Sequence, residues 1–224
     1  MKQSGGSDAQ KRRAGEAAAD EVEDGDVVGL GTGSTAAHAI RALGERPVDV
    51  EGVPTSFESR QRAVEAGIPL TTLEEASVDV AIDGADQVAG GALVKGGGAA
   101  HAREKYVDAS ADRFVVVADP SKEADVLDVP VPVAVLPDAR TVVAERVVAL
   151  GGEPVLRDAE RKDGPVVTDD GSLVLDCDFG DIEAPGSLAA SLSGIPGVVE
   201  HGLFVDLADV VYVGTGDGVR TVTP

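Results

Sequence analysis

The chain has 224 residues, enough for one large domain or two small ones with cores of their own. Acidic residues outnumber basic ones 40 to 19, for a net charge of −21, and aromatics make up only 3%. A field of that sign repels nucleic acid and anionic membranes, and so few rings exclude a platform for stacking bases or sugars.

Residues 8–24, with Ala14, Ala17, Ala18 and Val22, predict a short amphipathic helix. The first 21 residues include basic side chains with no apolar run behind them, and no segment approaches the ~18–20 apolar residues of a membrane span. A cytoplasmic protein is therefore expected. Val27–Leu30 reads as a strand, followed by Gly31-Thr32-Gly33-Ser34-Thr35 and a helix through Leu43. Strands are expected at 48–53, 78–82, 92–94 and 113–118, with helices at 56–66 and 99–109 between them. Strands alternating with helices at this spacing imply a parallel sheet with right-handed crossovers.

The pattern changes near the Pro-rich stretch at 129–133. From there the reading is strand 131–135, helix 139–150, strands 154–157 and 172–177, helix 186–193 and strand 198–204. That βαββαβ order is the ferredoxin-like split. The polar segment 158–171 is a loop between the two middle strands, and strands at 209–213 and 219–222 are placed to rejoin the first sheet. The expected architecture is α/β: a Rossmann-like domain of residues 1–128 and 205–224 with a ferredoxin-like α+β domain, 129–204, inserted near its end.

Four segments carry chemistry. The loop from Gly29 to Ala36 lies between a strand and a helix, where backbone N–H groups and the positive helix end attract an anion and the Ser34 and Thr35 hydroxyls can donate to it. Gly31, Gly33 and Ala36 also satisfy a dinucleotide fingerprint, with Glu51 at a tolerable distance for a ribose, so the loop alone does not choose between a dinucleotide and a sugar phosphate. Asp83-Gly84-Ala85-Asp86 closes a strand at the end where open α/β sheets bind ligands. Lys95-Gly96-Gly97-Gly98 leaves backbone bare beside a compact cation and leads into a helix bearing Glu104. Taken by itself, a glutamate between Arg103 and Lys105 reads as part of a solvated face. Lys122 sits in a turn beyond another strand end. His38, His101 and His201 show no paired ligand spacing, so no metal is expected. The lone Cys177 lies in an apolar run and is read as a core residue in a reducing compartment. Anion-binding glycines, two lysines and three carboxylates at neighbouring strand ends best serve proton abstraction beside a carbonyl.

Gly29–Ala36 (GLGTGSTA), Asp83–Asp86 (DGAD), the KGGGAA and REK stretches between Lys95 and Lys105, and the later Ser121-Lys122 together resemble the type A ribose-5-phosphate isomerases. The likeness extends to Leu150-Gly-Gly-Glu-Pro, Ile195-Pro-Gly-Val-Val and Gly214-Thr-Gly-Asp-Gly-Val. The resemblance implies a general base at Glu104, which shuttles a proton between C2 and C1 of a pentose phosphate through a cis-enediolate, and an oxyanion partner at Lys95. It also implies that Asp83 and Asp86 bind hydroxyls and assist ring opening. Thr32, Gly33, Ser34, Thr35 and Lys122, with Lys11 as a weaker candidate, would grip the substrate. It further implies no cofactor and a homodimer or homotetramer. Gln87 and His101 depart from the common pattern. Rival readings are a non-catalytic sugar-phosphate sensor, a coenzyme A transferase with a nucleophilic glutamate, and a dehydrogenase. Arg outnumbers Lys 13 to 6 and the acids are spread along the chain, the composition of a protein adapted to high salt.

Overall fold

The computed structural model describes residues 5–223. The elements α1 (Asp8–Ala19), β1 (Val27–Leu30), α2 (Ala36–Glu45), β2 (Glu51–Pro54) and α3 (Phe57–Glu65) come first. Next are β3 (Val80–Gly84), β4 (Gln87–Ala89), β5 (Ala92–Val94), α4 (His101–Ser110) and β6 (Arg113–Ala118). The chain continues with β7 (Val131–Val135), α5 (Arg140–Ala149), β8 (Glu153–Leu156), β9 (Leu173–Asp178) and α6 (Pro185–Ser193). It ends with β10 (Val198–His201), β11 (Leu203–Val205), β12 (Val210–Gly214) and β13 (Val219–Val222).

Two compact units emerge. The first takes in the described residues up to Ala85, then Arg103–Glu123 and Asp206 onward. It is built on a six-stranded sheet in the order β13-β12-β6-β3-β1-β2, parallel except for the antiparallel edge strand β13. Val28, Leu30, Val80, Ile82, Val115 and Val117 alternate onto one face and pack against Ala14 and Ala18 of α1 and Ile40 and Leu43 of α2. The intervening positions are buried as well, so these strands read as continuous apolar runs. Helix α1 starts at a capping box in which Ser7 and Gln10 satisfy each other's backbone N–H groups.

The second unit takes in Asp86–Ala102 and Ala124–Val205. Its four-stranded antiparallel sheet has the order β10-β7-β9-β8. Numbered within the βαββαβ run, that is 4-1-3-2, the arrangement expected of the split motif. Val131, Val133 and Val135 of β7 and Leu175 and Cys177 of β9 turn one face toward Val143 and Val147 of α5 and Leu192 of α6. The single strand expected at 198–204 is in fact two. At Gly202 the chain leaves one sheet for another: its N–H donates to the Pro132 carbonyl at 2.7 Å and its carbonyl accepts from the Lys95 N–H at 2.8 Å. Beyond it, β11 pairs antiparallel with β5, which also pairs with β4.

Candidate active site

In the first unit the chain leaves β1 toward β2 on one side and returns to β3 on the other, which makes the carboxyl ends of β1 and β3 a topological switch point. The Gly31 N–H donates to the Ile82 carbonyl at 3.0 Å and so extends the β1–β3 ladder into the glycine loop. This brings Asp83, which is fully buried, under the loop. Its Oδ1 accepts from the Thr32 N–H at 3.0 Å and the Gly84 N–H at 2.6 Å. A Cβ on Gly31 would lie 2.3 Å from the Asp83 Cγ, so only glycine allows this approach. The Thr32 hydroxyl is 2.7 Å from Ser56 Oγ and 2.9 Å from Thr55 Oγ1, which commits it to the protein. Gly33, at φ +113°, turns the chain, and its carbonyl accepts the first bond of α2, from the Ala37 N–H. Ser34 is exposed and accepts from Lys11 Nζ at 3.2 Å, while Thr35 stands at the helix start. An ammonium and two hydroxyls thus gather at a helix N-terminus, a setting suited to an anion. Glu51 opens β2 in register with Val27, at the far end of the strand from the loop, and so is not placed to read a ribose there.

Helix α4 presents Glu104 at 4% exposure and Asp108, one turn on, at 1%. Glu104 is therefore not part of a solvated face, although Arg103 and Lys105 on either side are more open. Beyond β6, Asp119 is fully buried and its Oδ1 accepts from the Ser121 N–H at 2.9 Å and hydroxyl at 2.6 Å. These bonds shape the single 3₁₀ turn Pro120–Lys122 that carries Lys122.

The second unit holds the remaining candidates. Asp86 Oδ2 accepts from the Gly97 N–H at 2.6 Å, and a Cβ on Gly97 would sit 2.7 Å from the same carboxylate. Lys95 is 2% exposed with Nζ 5.3 Å from the centroid of the Phe204 ring, a cation–π contact. Gly96 adopts φ +105° and its carbonyl accepts from the Ala99 N–H at 2.9 Å, leaving Gly98 at the exposed tip of the turn. Ala99 itself has φ +61°, a conformation that a residue with a Cβ holds only at a cost. Gln87 is structural: its side chain both donates to Asp128 Oδ1 at 2.6 Å and accepts from the Asp128 N–H at 2.8 Å. His101 is fully buried at the start of α4. Ala85 is the last residue of the first unit before Asp86 begins the second, and the chain returns between Ala102 and Arg103.

Sequence reasoning passed over Asp108 and Arg157, and took Asp119 only as the first residue of the turn that carries Lys122. Asp108 carries one signal, an i+4 spacing from Glu104. Arg157, whose guanidinium donates to the carbonyls of Gly96 and Gly97, carries none. Cys177 is buried and its thiol is pushed up to about 12, by burial first and by Asp176 second, as befits a core residue. Among the described residues no three His, Cys, Asp or Glu side chains are grouped to hold a metal ion, and no helix is long and apolar enough to cross a membrane.

Comparison with known proteins bears on the same motifs. Residues 51–218 match the family described as ribose 5-phosphate isomerase A (phosphoriboisomerase A). A ribose-5-phosphate isomerase A of Halobacterium salinarum is 76% identical over 225 aligned positions, covering 100% of both chains. Among solved structures, ribose 5-phosphate isomerase A from Methanocaldococcus jannaschii is 45% identical with a TM-score of 0.93, over 96% of this chain and 98% of that one. A D-ribose-5-phosphate isomerase in complex with phospho-erythronic acid is 40% identical, with the same TM-score and the same coverage. The chain belongs to the ribose 5-phosphate isomerase A family.

Proposed function

We propose that this chain interconverts D-ribose 5-phosphate and D-ribulose 5-phosphate, as part of the non-oxidative pentose phosphate pathway, with Glu104 as the base. The observation that carries the reading is the burial of Glu104, on the helix that follows a glycine turn anchored by Asp86, in a chain of this family. In the open-chain aldose, Glu104 takes the proton from C2, and the electron pair moves through C1 onto the aldehyde oxygen to give a cis-enediolate. Return of the proton to C1, with transfer of the C2 hydroxyl proton to the oxygen on C1, yields the ketose. Lys95 supplies the positive charge that the enediolate oxygen requires, in surroundings that keep water away and make that charge effective. Asp83 and Asp86 bind sugar hydroxyls and assist ring opening. Gly33 to Thr35, Lys11 and Lys122 take the phosphate end, Thr32 holds that loop to Asp83 and Ser56, and Gly84, Ala85 and Gly96 to Gly98 provide the close backbone. The enzyme is further read as cytoplasmic and as a homodimer or homotetramer.

The test is conversion of ribose 5-phosphate to ribulose 5-phosphate, in low and in multimolar salt, for the wild type and Glu104→Gln. Loss of a general base should lower kcat by about 10²–10⁴-fold. A wild type inactive in both salts overturns the activity; a near-full rate in Glu104→Gln overturns only the choice of base.

A further inference from the structure

We propose that Arg157 is a positioning residue for the isomerisation, acting on Asp86 through the peptide that joins Gly96 to Gly97; this rests on the reading of Asp86 as a substrate-binding group. Arg157 follows β8 immediately, and its backbone N–H donates to the Val174 carbonyl of β9 at 2.9 Å. Along β9, Leu173, Leu175 and Cys177 turn toward the helices, so Asp176 points to the other face of the sheet. There it pairs with Arg157 as a fork: Nε donates to Oδ2 at 2.8 Å and the second nitrogen donates to Oδ1. An ion pair made only for stability would end at this point. Instead, the third nitrogen of the guanidinium donates to the Gly96 carbonyl at 2.9 Å and to the Gly97 carbonyl at 3.3 Å. The side chain is 13% exposed, so water competes little for these donors.

The Gly96 carbonyl and the Gly97 N–H are two edges of one peptide plane and point in opposite directions. On one edge the oxygen accepts from both Arg157 and the Ala99 N–H, which uses both lone pairs. On the other edge the N–H donates to Asp86 Oδ2 at 2.6 Å. A cation on the oxygen and an anion on the N–H polarise the plane in the same sense, so each bond strengthens the other. Three successive glycines make this the stretch with the most conformational freedom to lose, and the clamp is what fixes it in one orientation. Asp86 is thereby aimed by an arginine from a strand pair far along the chain.

The experiment compares kcat and KM for the wild type, Arg157→Met, Arg157→Lys, Asp86→Asn and the double variant Asp86→Asn with Arg157→Met. In parallel it follows the Gly97 amide by ¹H–¹⁵N NMR. Arg157→Met should lower kcat by about 10- to 100-fold, with KM moving by less than about threefold, because orientation rather than uniform binding is lost. Arg157→Lys should recover only part, since an ammonium cannot serve the Asp176 fork and two carbonyls together. The double variant should be little worse than Asp86→Asn alone, a non-additivity that a merely structural role would not produce. The Gly97 amide proton should shift upfield in Arg157→Met. A folded Arg157→Met enzyme with kcat within about twofold of wild type, additive losses, or an unmoved Gly97 resonance each overturns the proposal. An inactive wild type would instead overturn the isomerase reading on which it rests.

Discussion

Asp83 owes its place to the absence of a single methyl group. The carboxylate lies where a Cβ on Gly31 would stand, 2.3 Å from Cγ, and is held there by the N–H groups of Thr32 and Gly84. Gly31→Ala should therefore force Asp83 or the β1–β3 ladder to move, at about 1–3 kcal/mol of stability. Chemical denaturation of the variant would measure that loss, and kcat/KM should fall further than the folded fraction does. Gly84→Ala is the matched control for stability, because its nearest atoms lie at 3.8 and 3.9 Å and should leave the unfolding midpoint almost unchanged. Equal losses in the two variants would mean that the Asp83 approach is not what Gly31 is for. This contrast also marks what a sequence can carry. Gly31, Gly33 and the Lys95–Gly98 stretch are legible because bare backbone at a strand end has few other uses. Glu104 is not, since the charged residues on either side of it hide a buried position, and burial depends on partners distant in sequence. The same is true of Arg157, which looks like any polar residue at the end of a strand until the chain brings Gly96 to it.

At the scale of elements, the first unit ties the end of α1 to its sheet through one polar cluster. The Tyr212 hydroxyl of β12 donates to Glu21 Oε1, and Arg113 at the start of β6 donates to Oε2 at 2.7 Å. Tyr212 first, and then Arg113 against the cost of burial, hold the Glu21 carboxyl below its usual range; the Glu21 carboxylate in turn pushes the Tyr212 phenol up. The signs fix a pH window. Stability from a carboxyl with a lowered pKa is present above its unfolded value and is lost as pH falls through the folded one. Stability from a phenol with a raised pKa is complete below its unfolded value and is lost as pH rises through the folded one. Tyr212→Phe should thus cost about 1 kcal/mol between roughly pH 5 and pH 9 and progressively less outside that range. Denaturant melts of both proteins across pH would show the gap closing at each end, and a gap independent of pH would mean that packing, not the hydroxyl, is at stake. The elements themselves were largely readable: β6 and β7 fall where their apolar runs place them, and the βαββαβ order of the second unit follows from spacing. What spacing could not show is β4, three residues long and without a period, or the break at Gly202. The run from Val198 to Phe204 reads as one strand with Gly202 as its one sign of a break, and the bonds of Gly202 to Pro132 and Lys95 are what reveal that it serves two sheets.

For the whole molecule the dominant fact is charge. Among the described residues the first unit has 24 acidic and 12 basic side chains and the second 16 and 6, so the units carry net charges of −12 and −10. Each is therefore self-repelling on its own account, and neither can lend the other a compensating field. Raising ionic strength from 0.1 M to 1 M shortens the screening length from about 10 Å to about 3 Å, which is below the spacing of most surface charges. The electrostatic share of any salt stabilisation should accordingly be complete by about 1 M and be the same for KCl and NaCl. Stabilisation beyond that point has to come from exclusion of salt from the surface, which strengthens apolar burial and is larger for sulfate than for chloride. Thermal melts should show a steep rise in Tm up to about 1 M in either chloride, then a shallower rise that depends on the anion. Hydrogen exchange at 0.1 M against 3 M KCl should show weakened protection both in β3 and β6 and in β7 and β9, because both units carry the repulsion. Protection lost from one unit alone would locate the salt requirement in particular contacts, and a Tm insensitive to salt would mean that the acidity of this chain serves something other than stability in brine.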